Sequence, residues 1–192
     1  ALTDHWLRQT PETLGHLYVD GHVRAYHGRA HRLPHQHVAR LGRQMPGTQD
    51  FHVHDAAAQP LFHVTAEANE SLLQMLDEVL LPEIRRWVGA ERRVLIVFDR
   101  EGWSPASFGR WQAQGFDVLT YRKGKQRAWP EAEFVEQQSV IEGQTVRYCL
   151  AERAVAVTPQ LTGREIRRLT DNGHQTALIT TRLSLKAPAR MP

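Results

Sequence analysis

The sequence predicts a mixed α/β domain, with a central sheet flanked by helices and enlarged by an antiparallel β insertion. Three observations predict it. The apolar run from Arg93 to Phe98 has strand length and is followed by a helix signal and a second strand signal, so residues 93–121 read as a β-α-β unit. An earlier strand, Leu17-Tyr18-Val19-Asp20, carries an acid inside an apolar and aromatic setting. Residues 131–157 alternate polar and apolar positions around Glu142-Gly143 with no helical period, which is the pattern of an antiparallel addition.

Taken in order, the first strand runs from Leu17 to about Gly28, where aromatic and β-branched residues favour extended backbone. Residues 29–48 are rich in His, Arg, Pro and Gly and read as an irregular excursion. Asp50–His54 and Pro60–Thr65 read as a hairpin around Asp55–Gln59. From Glu67 the period changes: Leu72, Leu73, Leu76, Val79, Leu80, Ile84, Trp87 and Val88 recur at three- and four-residue steps, an amphipathic helix. Pro82 predicts a kink or restart within it, and Gly89 its end. After Asp99, Ser104-Pro105 supplies an N-cap and a first-turn proline for a helix reaching about Gln114, and Phe116–Tyr121 is the next strand. Ile166–Thr170 and Thr176–Thr181 flank Asp171-Asn172-Gly173 as a last hairpin. The expected organisation is a core over residues 1–130, the insertion over 131–160, and a return towards the core over 161–192.

Composition narrows the class. Of the 192 residues 41% are hydrophobic and 23% charged, the balance of a folded globular chain rather than a disordered or fibrous one. No apolar run approaches the ~20 residues of a membrane span, and the first residues lack a signal-peptide plan, so the cytoplasm is the expected compartment. The single cysteine, Cys149, excludes an internal disulfide and a cysteine-based zinc knuckle, and reads as a small buried strand residue. Net charge is only +3, yet 21 of the 24 basic residues are arginine. That suits forked contacts to phosphate, and it equally suits a GC-rich coding sequence.

Asp20 and Asp99 stand out because each lies in or at the end of an apolar strand, where an ionised carboxylate is costly without compensation. A divalent cation with a preference for oxygen ligands would compensate both, and strand-end caps or ion pairs with arginine would do so too. Gly21 would let a phosphate or a metal's ligand shell approach the backbone, and alternation puts His22 on the face of Asp20. Arg122, Lys123, Lys125 and Arg127 form a basic segment at the carboxyl end of a strand, a candidate contact for nucleic-acid phosphates or a plain solvated loop. His35, His37, His52, His54 and His63 offer a weaker, histidine-based metal alternative. Trp103, Trp111 and Trp129 read as packing residues.

Several segments together resemble insertion-sequence transposases of the DDE superfamily: Tyr18–Gly28, Val97-Phe98-Asp99-Arg100-Glu101-Gly102-Trp103-Ser104, Leu119–Gly124 and Leu169–Thr176. The resemblance spans roughly residues 16–182. It implies an RNase H-like fold with Asp20 on its first strand and Asp99 ending its fourth, both binding Mg2+ or Mn2+. It implies metal-dependent phosphodiester cleavage and strand transfer in a bacterial mobile element, on double-stranded DNA at transposon ends and target sites, with a homodimer compatible. The family's third acid is a glutamate on a helix near the end of the catalytic domain. No segment here carries its context, and the sequence stops about where that helix is expected, so the expectation is a catalytic core that is incomplete and inactive by itself. Glu165, in Thr162-Gly163-Arg164-Glu165, reads instead as a capping box or a solvent-facing strand start. The alternative to catalysis is a transposase-derived remnant that binds DNA without chemistry.

Overall fold

The computed structural model describes residues 11–141 and 143–184. Ten strands form one sheet: β1 His16–Ala25, β2 His35–Val38, β3 Arg43–Asp55, β4 Pro60–Ala66, β5 Val94–Val97, β6 Phe116–Tyr121, β7 Val135–Ile141, β8 Gln144–Thr158, β9 Leu161–Leu169 and β10 Gln175–Thr180. Their order is β2-β3-β1-β5-β6-β10-β9-β8-β7, with β4 also on β3. Only β1–β5 and β5–β6 are parallel, so the molecule is mixed α/β with a large, mostly antiparallel sheet and few helices.

Between β4 and β5, Leu72–Met75, Leu76–Leu80 and Leu81–Val88 run on as one helix, α1. The middle segment is a π-turn. It lies just before Pro82, which has no N–H to return to the preceding turn, so the widened ladder lets the helix continue where the sequence predicts a kink or restart. Gly89 ends the helix with φ 82°, in the region that favours glycine. The second helix, α2, is Pro105–Ala113 between β5 and β6. Leu72, Leu76, Leu80 and Ile84 of α1 and Phe108 and Trp111 of α2 pack in one core with Leu17, Val19, Phe51, Val53, Ile96 and Phe98 of the sheet. Both helices therefore cover the same face. The alternating residues on β1, β3 and β4, among them Asp20, His52 and His63, are exposed on the other.

Two segments differ from their sequence reading. Residues 29–48 contain β2 and the start of β3 rather than an excursion, because Gln36 and Val38 alternate inward and the Gln36 amide donates to the Thr48 carbonyl at 2.9 Å. The surrounding His and Arg side chains hide that short alternation. Towards the end, β9 begins at Leu161 and pairs with β8 across Pro159-Gln160, while β10 returns antiparallel onto β6. The strands after residue 134 thus extend the core sheet by direct hydrogen bonding.

Candidate metal centre and nucleic-acid cleft

The parallel ladder of β1 on β5 aligns His16 with Leu95, Leu17 with Ile96 and Tyr18 with Val97. Carried on by two residues, that register sets Asp20 opposite Asp99. Paired residues of neighbouring strands share a face, and the strands are roughly 4.8 Å apart, so both carboxylates stand on the helix-free face, Asp20 midway along β1 and Asp99 just past the carboxyl end of β5. This is where α/β sheets open their crevices. Both acids are exposed.

Asp99 is held by its own turn. One carboxylate oxygen, Oδ1, accepts the Glu101 N–H at 2.9 Å, capping the short 3-10 turn Arg100–Gly102, and the Asp99 carbonyl accepts the Thr120 hydroxyl at 2.8 Å. Among the described residues, no side-chain contact engages Oδ2 of Asp99. A carboxylate oxygen left open in this way suits a hard divalent cation. Among the described residues no group of three acid, histidine or cysteine side chains converges to hold an ion.

Across the sheet, Asp20 pairs with His52 and His52 with His63, whose rings stack at 5.7 Å. His54 instead stacks on Tyr18, at 5.3 Å and 3° between planes. His35 and His37 lie on β2. Of the histidine set expected as an alternative metal module, His52 and His63 thus share one rung beside Asp20, while His54, His35 and His37 lie on others. His22 shares the Asp20 face, as alternation requires, and pairs with Asp50. Gly21 has a different role from the one its sequence setting suggests: a Cβ there would meet the Phe51 ring at 3.3 Å, so the glycine makes room for a core aromatic and not for a phosphate.

Beside Asp99 opens a cleft of about 800 Å³ whose lining includes Arg100, Arg122, Lys125, Arg167 and His174. A second, of about 760 Å³, shares Arg122, Gln126, Ala128 and Arg167 with it and adds Arg127, Trp129 and Arg153. Of the basic segment expected to meet nucleic acid, Arg122 lines both, Lys125 the first and Arg127 the second; Lys123 lines neither. Trp129 carries Arg167 and Arg153 over its ring at 4.2 and 4.4 Å. Trp111 is buried and donates to Asp77 of α1 at 2.5 Å, and Trp103 packs edge-on against Phe108. Cys149, expected buried, is half-buried in β8.

Glu165 departs most from its sequence reading. It is neither a cap nor solvent-facing: at 1% exposure on β9 it pairs with both Arg122 and Arg167. Arg167 and His174 are residues that sequence reasoning missed. A signal was present in Leu161-Thr162-Gly163-Arg164-Glu165-Ile166-Arg167, where every second residue is buried, but the inward set mixes charge with apolar and so breaks the usual hydrophobic alternation.

None of the curated proteins matches the sequence. Among solved structures, the piggyBac transposase in a synaptic complex with hairpin DNA superposes with a TM-score of 0.56 at 11% identity, covering 90% of this chain and 34% of that one. The chain thus spans about a third of the length of that solved transposase, and the likeness is one of fold. A family model described as "Transposase protein" matches residues 1–190, nearly the whole sequence, and the chain belongs to that transposase family.

Proposed function

We propose that this chain is part of the catalytic core of a DDE-type insertion-sequence transposase, with Asp20 and Asp99 as two carboxylate ligands of Mg2+ or Mn2+. The observation that carries the reading is the register of β1 on β5, which, carried on by two residues, sets Asp20 against Asp99 just past the end of β5, in a chain of the transposase family. Setting the short β2 aside, the order β4-β3-β1-β5-β6 places the first strand of the core at its centre beside the fourth, and this supports an RNase H-like topology. Bound there, a divalent cation would supply Lewis acidity for phosphodiester cleavage. The chain's own groups would position the DNA. The carboxylates fix the cation site, Asp99 is oriented by the Glu101 N–H, and Arg100, Arg122 and Lys125 neutralise backbone phosphates in the adjoining cleft. The substrates in this reading are transposon ends and target DNA, both double-stranded.

A second reading is DNA binding without catalysis. It is favoured by the donor count, since among the described residues no group of three acid, histidine or cysteine side chains converges to hold an ion. Mn2+ titration followed by water-proton relaxation, with Mg2+-dependent nicking of duplex DNA measured in parallel, separates the two. The first reading expects saturable Mn2+ binding that drops at least tenfold in both Asp20→Asn and Asp99→Asn, whether or not the chain nicks DNA by itself. Mn2+ binding or nicking that is unchanged in Asp99→Asn sinks the site assignment. DNA binding with no Mn2+ binding at all selects the second reading.

A further inference from the structure

Glu165 is a buried carboxylate at the junction of two basic clefts. Its Oε1 accepts Arg167 Nε at 2.6 Å, and its Oε2 pairs with Arg122 Nη1. Arg167 is itself only 4% exposed, and its Nη1 donates to the Arg127 carbonyl at 2.7 Å and to Gln175 Oε1 at 3.1 Å. Gln175 in turn exchanges hydrogen bonds with both backbone groups of Trp129, at 2.8 and 2.9 Å. The network therefore pins the basic loop between β6 and β7 to β9 and β10. Burying these charges is costly, and truncating one partner of such a set is expensive because the other is left uncompensated. A merely structural contact could be made by apolar residues at less cost. What the charges provide is a fixed direction for two guanidiniums.

Arg122 faces usable space, and Arg167 borders the same space from a nearly buried position. Arg122 and Arg167 each line both clefts, and Arg122, with a quarter of its side chain exposed, engages Glu165 through Nη1 while a guanidinium has five N–H donors. Two arginines against one glutamate leave one net positive charge at the junction, with Lys125 and Arg100 on the Asp99 side and Arg127, beside the Arg153–Glu133 ion pair, on the other. We propose that Arg122 and Arg167, oriented by Glu165, form a seat for a backbone phosphate of nucleic acid where the two clefts meet, with Glu165 as a positioning residue. The seat rests on the transposase reading above and adds to it a fixed phosphate position beside Asp99. Forked donors held rigidly lose less freedom when they grip a phosphate, which is how a negative residue can strengthen the binding of a negative ligand.

The sign of one substitution tests this. Glu165→Gln makes the clefts more positive by one charge. If charge alone governs binding, affinity for a duplex of about 20 base pairs rises. If Glu165 aims the arginines, affinity falls, by about three- to tenfold. Arg122→Gln, at a partly exposed position, guards against a Glu165 variant that fails to fold: it is expected to weaken binding about tenfold and to lower the salt dependence by about one phosphate contact. Arg122→Lys, which keeps charge but loses the fork, should recover only part of the loss. Tighter binding by folded Glu165→Gln, or Arg122→Gln binding like the unaltered chain with the same salt dependence, overturns the seat while leaving the transposase reading intact. No salt-dependent DNA binding by the unaltered chain overturns both. Saturable binding of inorganic phosphate alone, lost in Arg122→Gln, would reassign the seat to a free anion and overturn its nucleic-acid assignment.

Discussion

His16 opens β1 beside Arg182, whose guanidinium lies 3.5 Å from its Nε2. Partial burial, and then the positive charge of Arg182, hold the imidazole below its ordinary protonation range. The folded chain thus keeps His16 neutral while the unfolded chain takes up a proton near pH 6.5. The resulting stability is fully present above about pH 6.5 and is lost as pH falls from there through the lower folded value. Urea midpoints at pH 7.5 and 5.5 should show the drop, and His16→Gln should flatten it. An equal drop in the variant would assign the effect to other groups. Nothing in His16-Leu17-Tyr18 betrays this partner, which comes from 166 residues away. Asp99 is the opposite case. An acid closing an apolar run is visible in the sequence because the run itself says the backbone there is a buried strand, and the structure keeps Val94, Leu95 and Ile96 at 0–2% exposure up to it.

Elements were legible in proportion to how much apolar side chain they display. The leucine spacing of α1 shows its buried face directly, and Leu76 and Leu80 are completely buried. Leu80→Ala should cost about 2–5 kcal/mol by leaving a cavity under the π-turn, measured by urea unfolding. A loss below about 1 kcal/mol would mean that the widened turn collapses to fill the space. The π-turn itself was not legible: Pro82 announces a disruption, but whether the ladder breaks or widens depends on Leu76 and Leu80 both finding the core. In β2 the pattern was too short, two inward residues among histidines. In β9 the inward residues include Glu165 and Arg167, and a buried ion pair looks in sequence like two exposed charges. That is why Asp20 and Asp99 stand out in the sequence as candidates while Arg167 of the cleft wall does not.

At the scale of the molecule, the strands after residue 134 share the ladder of the core through β10 on β6. Hydrogen-bonded continuity predicts that they unfold with the core. The thiol of Cys149, the sole cysteine, sits in β8 and reports on the extension, while tryptophan fluorescence, with Trp111 in the core, reports on the centre. Across a urea transition, pulse labelling of Cys149 and the fluorescence change should have coincident midpoints. Labelling that completes at lower urea would show the extension to be a separate cooperative unit. Neither the β10–β6 pairing nor the strand order of the extension could be read from the sequence, since alternation shows that a strand exists but not which edge receives it.

That pairing also sets a geometry. Neighbouring strands rotate by roughly 20–25° per step, so four steps from β6 to β7 turn the far rim about a right angle from β6, the neighbour of the strand that leads into Asp99. A flexible tether would let that angle drift. Backbone hydrogen bonds hold it, and the sheet behaves as a carpenter's square with the two aspartates on one arm.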